Sequence, residues 1–180
     1  MKHRSSTLMA IFIFLLSASL LQSRAAFATE EPLAVSDMHA TAFHYFFQDG
    51  DMDFHFGNLI LGSAVHGGAG IGEAFYAASR IRDGNAGDWQ REWAELAGRV
   101  EARGETSLAA GHLVSARDQL LRAAYYYRLS LVSMLPDNPA FKERGGKVRE
   151  LFQKGGALFD PPVEYFEVPF EGTSLPGYFR

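Results

Sequence analysis

From Ser36 to about Phe159 the apolar residues recur at helical spacing, three or four residues apart, with polar positions between them. Ser36 or Asp37 can cap a first short helix through Phe47, with Met38, Ala42, Tyr45 and Phe46 at helical spacing. Gln48-Asp49-Gly50-Asp51 breaks it. A second helix is expected from Met52 to Val65, with Phe54, Leu59, Leu61 and Val65 mostly on one side. Gly67-Gly68-Ala69-Gly70 stops it, and Ile71 to Ile81 reads as a third, short helix before the turn cluster Asp83 to Gly87.

The strongest periodicity follows. With Asp88 as N-cap, Trp89, Trp93, Leu96, Ala97 and Val100 fall on one stripe of a helix that runs to Ala110 and stops at Gly111. Ser115-Ala116-Arg117-Asp118 resembles a capping box, with Asp in place of Glu or Gln. It opens a helix to about Met134 whose inner face is Ala116, Leu120, Ala124, Tyr127 and Leu131. Pro136-Asp137-Asn138-Pro139 makes a turn, and Pro139 suits the first turn of the next helix. That helix places Phe141, Val148, Phe152 and Leu158 or Phe159 inward. It carries Gly145-Gly146 and Gly155-Gly156, each glycine costing up to about 1 kcal/mol against alanine, so a kink or fraying is expected unless something packs there.

After Asp160-Pro161-Pro162 the period changes to two. Val163 to Phe170 alternates, Glu171-Gly172-Thr173 turns, and Ser174 to Arg180 returns. The fold class expected is therefore mainly α, about five to six helices followed by a C-terminal β-hairpin. A lone hairpin is marginal in water, so residues 163–180 are expected to order poorly alone or to self-associate.

The first 28 residues stand apart. Lys2, His3 and Arg4 are basic, Leu8 to Leu21 is an uncharged apolar run, and Ala26-Phe27-Ala28 supplies the small-x-small pattern of signal cleavage at Ala26 and Ala28. The run is short against the roughly 20 residues that span a bilayer. The organisation expected is a signal peptide over 1–28, a helical domain over 29–160 and the hairpin over 161–180, in a secreted or periplasmic protein without a stable membrane anchor after processing. Cleavage removes Lys2, Arg4 and Arg24 but none of the 21 acidic residues, so the net charge of −4 becomes more negative. Such a chain is a poor ligand for nucleic acid. Zero cysteines exclude disulfides, thiolate metal sites and a thiol nucleophile.

Few constellations carry chemistry. No serine sits in the G-x-S-x-G setting of a nucleophile elbow: Ser63 is flanked by Leu61 and Val65, and Ser115 by Leu113 and Arg117. His66-Gly67-Gly68 matches an oxyanion-hole loop in letters, but a helix precedes it rather than a strand, and a glycine turn ending that helix is the better reading. Gly68-x-Gly70-x-Gly72 is followed by Glu73 and misses the dinucleotide fingerprint. Asp49-x-Asp51-x-Asp53 and the Asp83 to Asp88 cluster lack the glycine and the twelfth-position Glu of a calcium loop, which leaves turn and capping roles. His39, His44 and His55 do not share a ligand face. No catalytic residue, metal or cofactor is expected within the chain. Tyr125, Tyr126 and Arg128 are the candidates for a substrate pocket or an interface, because aromatics with polar tips suit both; interhelical packing is the alternative.

From Gly67 to Tyr178 the chain resembles one branch of the α/β-hydrolase superfamily, the 2,6-dihydroxypseudooxynicotine hydrolase-like and dipeptidyl aminopeptidase/acylaminoacyl-peptidase-like members with a large N-terminal helical domain. The segments that carry the resemblance are 67–89 (GGAGIGEAFYAASRIRDGNAGDW), 91–105 (REWAELAGRVEARGE), 108–128 (LAAGHLVSARDQLLRAAYYYR) and 158–179 (LFDPPVEYFEVPFEGTSLPGYF). The resemblance implies a helical cap-type bundle over an active site, a hairpin that opens the hydrolase sheet, and a Ser-His-Asp centre lying beyond Arg180. It implies a truncated, non-catalytic cap segment that meets a small-molecule or peptide substrate only together with the catalytic half, the family reaction being hydrolysis of ester, amide or C–C bonds. A standalone tetratricopeptide-like interaction module, or a subunit that completes a partner's sheet, is the alternative.

Overall fold

The computed structural model describes residues 43–180. The signal segment with Ala26 and Ala28, His39, and residues 36–42 of the expected first helix lie outside the described residues. Residues 43–49 are not helical. The reason is Asp53, whose carboxylate gathers the backbone N–H groups of Tyr45, Phe46 and Phe47 at 2.9, 2.8 and 2.9 Å. Those donors are thereby turned away from helical carbonyls. Phe47 still reaches the core, 2% exposed.

Helix α1 (Gly50–His55) starts one turn downstream, with Asp49 accepting from the Met52 N–H at 2.8 Å. It passes into a π-helical segment, Phe56–Leu61, and a closing turn, Gly62–Ala64. Met52, Phe56 and Ile60 are buried, whereas Phe54 and Val65 are exposed. Of the expected inner face, Leu59 and Leu61 pack against the core, partly buried, and Phe54 and Val65 do not. The start set by the Asp49 cap aims a different stripe inward, and the wider π turn keeps Ile60 on it.

Helix α2 (Ile71–Ala78) is short and buries Ala74, Ala77 and Ala78. Helix α3 (Ala86–Ala109) is capped by Asn85, not by Asp88. Asp88 instead takes a forked pair from Arg82 at 2.6 and 3.1 Å and an ion pair from Arg91 at 2.8 Å. The hydrogen bond from Arg82 is the main reason its carboxyl sits well below the usual carboxylate range. The expected stripe of Trp89, Trp93, Leu96, Ala97 and Val100 is buried throughout.

Helix α4 (Leu113–Leu129) begins before Ser115 and ends well before Met134. The capping box does not form: the helix starts at Leu113, which puts Ser115 inside its first turn, and Asp118 pairs with Arg117 at 2.8 Å. Its buried residues are Ala116, Leu120, Ala123, Ala124, Tyr126 and Leu129, so Tyr126 rather than Tyr127 takes the core position. Helix α5 (Pro139–Gly156) is capped by Asn138, with Pro139 in the first turn as expected. Leu151 is fully buried, and Phe152, expected inside, is 39% exposed.

The largest helix contacts join α3 to α4 and α4 to α5, so α4 is the middle of the bundle. Glycines make this possible. A Cβ on Gly104 of α3 would lie 2.9 Å from Leu120 Cδ2, and one on Gly155 of α5 would lie 2.8 Å from Leu121 Cγ. The glycine pair expected to weaken α5 therefore lets it approach α4. Gly145 and Gly146 have nothing within 4 Å and the helix runs through them without interruption.

Strands β1 (Glu164–Phe170) and β2 (Thr173–Phe179) pair antiparallel with Glu164 opposite Phe179 and Phe170 opposite Thr173. Glu171 (φ 45) and Gly172 (φ 79) form the two-residue turn, the left-handed pair that matches strand twist. Tyr178 packs edge-on against Phe152 of α5, ring centroids 4.8 Å apart, so one hairpin face leans on the bundle. The other carries Phe166, Val168, Phe170, Leu175 and Phe179 to solvent. The architecture is thus mainly helical with a C-terminal two-stranded hairpin, as the periodicity implies.

Two predictions follow from this packing. Gly146→Ala stabilises the protein by up to about 1 kcal/mol, because it adds helix propensity in open space. Gly155→Ala destabilises it, because overpacking of roughly 1–3 kcal/mol outweighs the same gain. Urea unfolding midpoints that move in the same direction for both variants refute the close-approach argument. The second concerns Asp53. Burial pushes its carboxyl up, but the N–H groups of Phe46, Tyr45 and Phe47 and the neighbouring His44 together outweigh that and hold it below its ordinary 3.8. A lowered folded-state pKa contributes stability above the unfolded value and loses it as pH falls through the folded one. Asp53→Asn therefore costs about 2 kcal/mol at pH 7, and the gap to wild type closes below about pH 4. Chemical denaturation at pH 7 and pH 3 reads both; a gap that does not narrow excludes a carboxylate role.

Candidate functional site

The three consecutive tyrosines of α4 point to three different environments. Tyr126 is fully buried; its hydroxyl accepts from the Gly70 N–H at 2.8 Å and donates to Glu73 Oε2 at 2.9 Å. Glu73 is also paired with Arg103 and lies 3.7 Å from Arg122. Burial first, then the Glu73 charge, raises the Tyr126 phenol far above its ordinary pKa, so it stays a protonated donor. Tyr126 is thus a tie between α2, α3 and α4. Tyr127 donates to Glu101 Oε2 at 2.9 Å, and Glu101 Oε1 accepts from Lys147 of α5 at 2.9 Å. Burial and the Glu101 hydrogen bond push the Tyr127 phenol up to about 12.

Tyr125 faces a cavity of about 310 Å³ between α4, α5 and the turn after the π-helical segment. Its lining residues include His66, Gly67, Leu121, Tyr125, Arg128 and Phe152. Of the three candidates, Tyr125 and Arg128 are therefore brought together here and Tyr126 is not. His66 and Gly67 join them from a distant part of the sequence. The Tyr125 hydroxyl donates to the Leu59 carbonyl at 2.6 Å, inside the π-helical segment, where widened turns leave carbonyls free for outside donors. Its ring is left to form the wall. The Arg128 guanidinium lies 5.7 Å from the centroid of that ring, and among the described residues it has no carboxylate within ion-pair distance.

The His66-Gly67-Gly68 segment is a helix-ending turn, not an oxyanion hole. The Gly67 N–H donates to Ala64 and the Gly68 N–H to Ser63, so neither amide is free for a reacting oxygen. The Gly67 carbonyl accepts from Arg122 at 3.3 Å. The serine hydroxyls nearby are likewise used locally: Ser63 donates to the Ile60 carbonyl and Ser130 to the Tyr127 carbonyl. Asp49 and Asp53 serve as the cap and the amide collector described above. His44 stands 3.5 Å from Asp53, and His55 lines a second cavity of about 230 Å³ with Asp49, Asp51, Trp89 and Ser133. Among the described residues, no three His, Asp or Glu side chains come together as a metal site. Nor is any helix among them long and apolar enough to cross a membrane. The cavity bearing Tyr125 and Arg128 is walled mainly by apolar side chains, and no serine, aspartate or glutamate is among its lining residues.

What sequence reasoning missed at this cavity is His66, Leu121, Val148 and Phe152 as co-lining residues. The signal for His66 was present in its position beside a glycine turn, but not its distance from Tyr125.

No family model matches the chain. The hydrolase ORFZ of Pyricularia oryzae is 39% identical over 134 residues, which cover 72% of this chain and 31% of that protein. The 20-hydroxy-prefusarin hydrolase of Gibberella moniliformis is 34% identical over 137 residues, 74% of this chain and 32% of that one. The α/β hydrolase gkaG of Penicillium citrinum is 32% identical over 120 residues, 66% and 28% respectively. Among solved structures, 2,6-dihydroxy-pseudo-oxynicotine hydrolase superposes with a TM-score of 0.54 at 25% identity, covering 66% of this chain and 32% of the other. The chain spans about a third of the length of the curated relatives it matches. Sequence and fold together make it similar to proteins of an α/β-hydrolase-like family.

Proposed function

We propose that this chain is the exported helical cap segment of an α/β-hydrolase of the 2,6-dihydroxypseudooxynicotine hydrolase-like branch, without catalytic residues of its own. The observation that carries the reading is the alignment to a named hydrolase, which takes in 72% of this chain but only 31% of the relative. The serines and glycine amides near the cavity, already bonded to backbone carbonyls, support the non-catalytic part. Export rests on the basic start, the apolar run Leu8 to Leu21 and Ala26-Phe27-Ala28.

In this reading the reaction belongs to a Ser-His-Asp centre supplied by the remainder of the enzyme, and the cap excludes water and shapes the pocket above it. The cavity at Tyr125 and Arg128 is the part of the cap that meets substrate. Its wall residue Phe152 also packs on Tyr178 of the hairpin, so cavity and hairpin share one support. The apolar hairpin face is the seat of the remaining sheet, and self-association through it is the outcome when that sheet is missing.

The purified 180-residue chain is expected to release p-nitrophenol from p-nitrophenyl butyrate no faster than buffer. Turnover that a serine-directed fluorophosphonate abolishes would overturn the reading. The coding DNA read beyond codon 180 is expected to continue in frame into a G-x-S-x-G segment; a stop followed by unrelated sequence would favour a standalone interaction module instead.

A further inference from the structure

The polar groups at the Tyr125 cavity are unequal in kind. Its lining includes two side chains able to hold positive charge, His66 and Arg128, and no Asp or Glu. Tyr125 has spent its hydroxyl on Leu59, and Arg122, whose guanidinium reaches the Gly67 carbonyl beside the cavity, is shared with Glu73. Arg128 alone among these keeps its fork of N–H donors uncommitted, and it is held over the Tyr125 ring rather than by an acid. The remaining surface is Leu121, Ala124, Val148 and Phe152, which offers hydrocarbon and one aromatic ring. A net charge of −4 for the whole chain means that any attraction for an anion must be local to this cluster.

From this asymmetry we propose that the cavity is a binding site for a small carboxylate with a flat apolar body, Arg128 taking the carboxylate and Tyr125, Leu121 and Phe152 enclosing the body. A guanidinium fork matches a carboxylate in plane, and its cation–π contact with Tyr125 at 5.7 Å favours orientations that keep the fork beside the cavity. Loss of that order would cost binding, since more rotamers then remain to be frozen when the ligand arrives. A cavity of about 310 Å³ is at the small end for ligand sites and fits one ring with a short acid arm. The inference deepens the cap reading, because it names the substrate class that this part of the cap admits: molecules bearing an acid group away from the bond to be broken.

The test uses the 180-residue chain with 3-phenylpropionate as probe and its methyl ester as the neutral counterpart, by saturation-transfer NMR and calorimetric titration. Expected is saturable binding of the acid with a Kd of about 1 mM, several-fold tighter than the ester and weakened by added salt. Arg128→Gln, an exposed position, is expected to raise the Kd roughly tenfold with an unchanged circular-dichroism spectrum, and Arg128→Lys to restore part of the loss. Equal affinity for acid and ester, no saturable binding of the acid, or indifference to Arg128→Gln would each overturn the proposal. Because the readout is binding to this chain alone, such a failure leaves the hydrolase reading to be decided by the sequence beyond codon 180. A stop codon there, conversely, leaves the carboxylate site standing or falling on the titration.

Discussion

The structure depends on how closely helix α4 can be approached from both sides. Two consecutive leucines, Leu120 and Leu121, point to opposite neighbours, and each meets a glycine: Gly104 on α3 and Gly155 on α5. Helices normally pack with axes 8–10 Å apart, the distance being set by the side chains at the crossing. Removing the side chain at both crossings lets leucine fill the gap, so the three helices form one layer with Leu120 and Leu151 fully enclosed. Each glycine costs helix propensity and the burial of a leucine offsets it.

That layer positions everything else. Because α4 is gripped on two faces, Tyr126 is driven inward to tie α2 and α3, and its neighbours are left on the flanks. Tyr127 faces the α3–α5 ion pair of Glu101 and Lys147. Tyr125 and Arg128 face the cavity, with Leu121 between them and α5. The polar ties are charge-assisted and mostly half-buried. They orient helices already brought together by apolar packing and contribute less to net stability than the core beneath them.

The hairpin is joined to this layer on one face only. Phe166 lies over Gly177, where a Cβ would come within 2.5 Å of its ring, so the exposed face is smooth and apolar. Five large apolar side chains on one face at the surface are more than a two-stranded ribbon can shelter by itself. In the proposed cap reading, that face seats the remaining strands of a hydrolase sheet.

By themselves, the residues determine the helical period from Trp89 to Val100, the turn at Asn138-Pro139, the change to a period of two after Pro162, and the Glu171-Gly172 hairpin turn, since each is a local pattern of burial or dihedral preference. The missing nucleophile elbow is equally local. Other features depend on specific side-chain partners that a burial period does not name. Asp53 unwinds residues 45–47 by taking their amides, Arg82 diverts Asp88 from capping, and the Asp49 cap with the π turn selects Met52, Phe56 and Ile60 over Phe54 and Val65. The same holds for the cavity: Tyr125 and Arg128 were visible as polar-tipped candidates, but their meeting with His66 and Phe152 required α4 and α5 to close on each other. Gly155 shows the division most plainly, a defect when judged by helix propensity and a necessity once Leu121 stands opposite, because propensity is a property of one residue and packing a property of two.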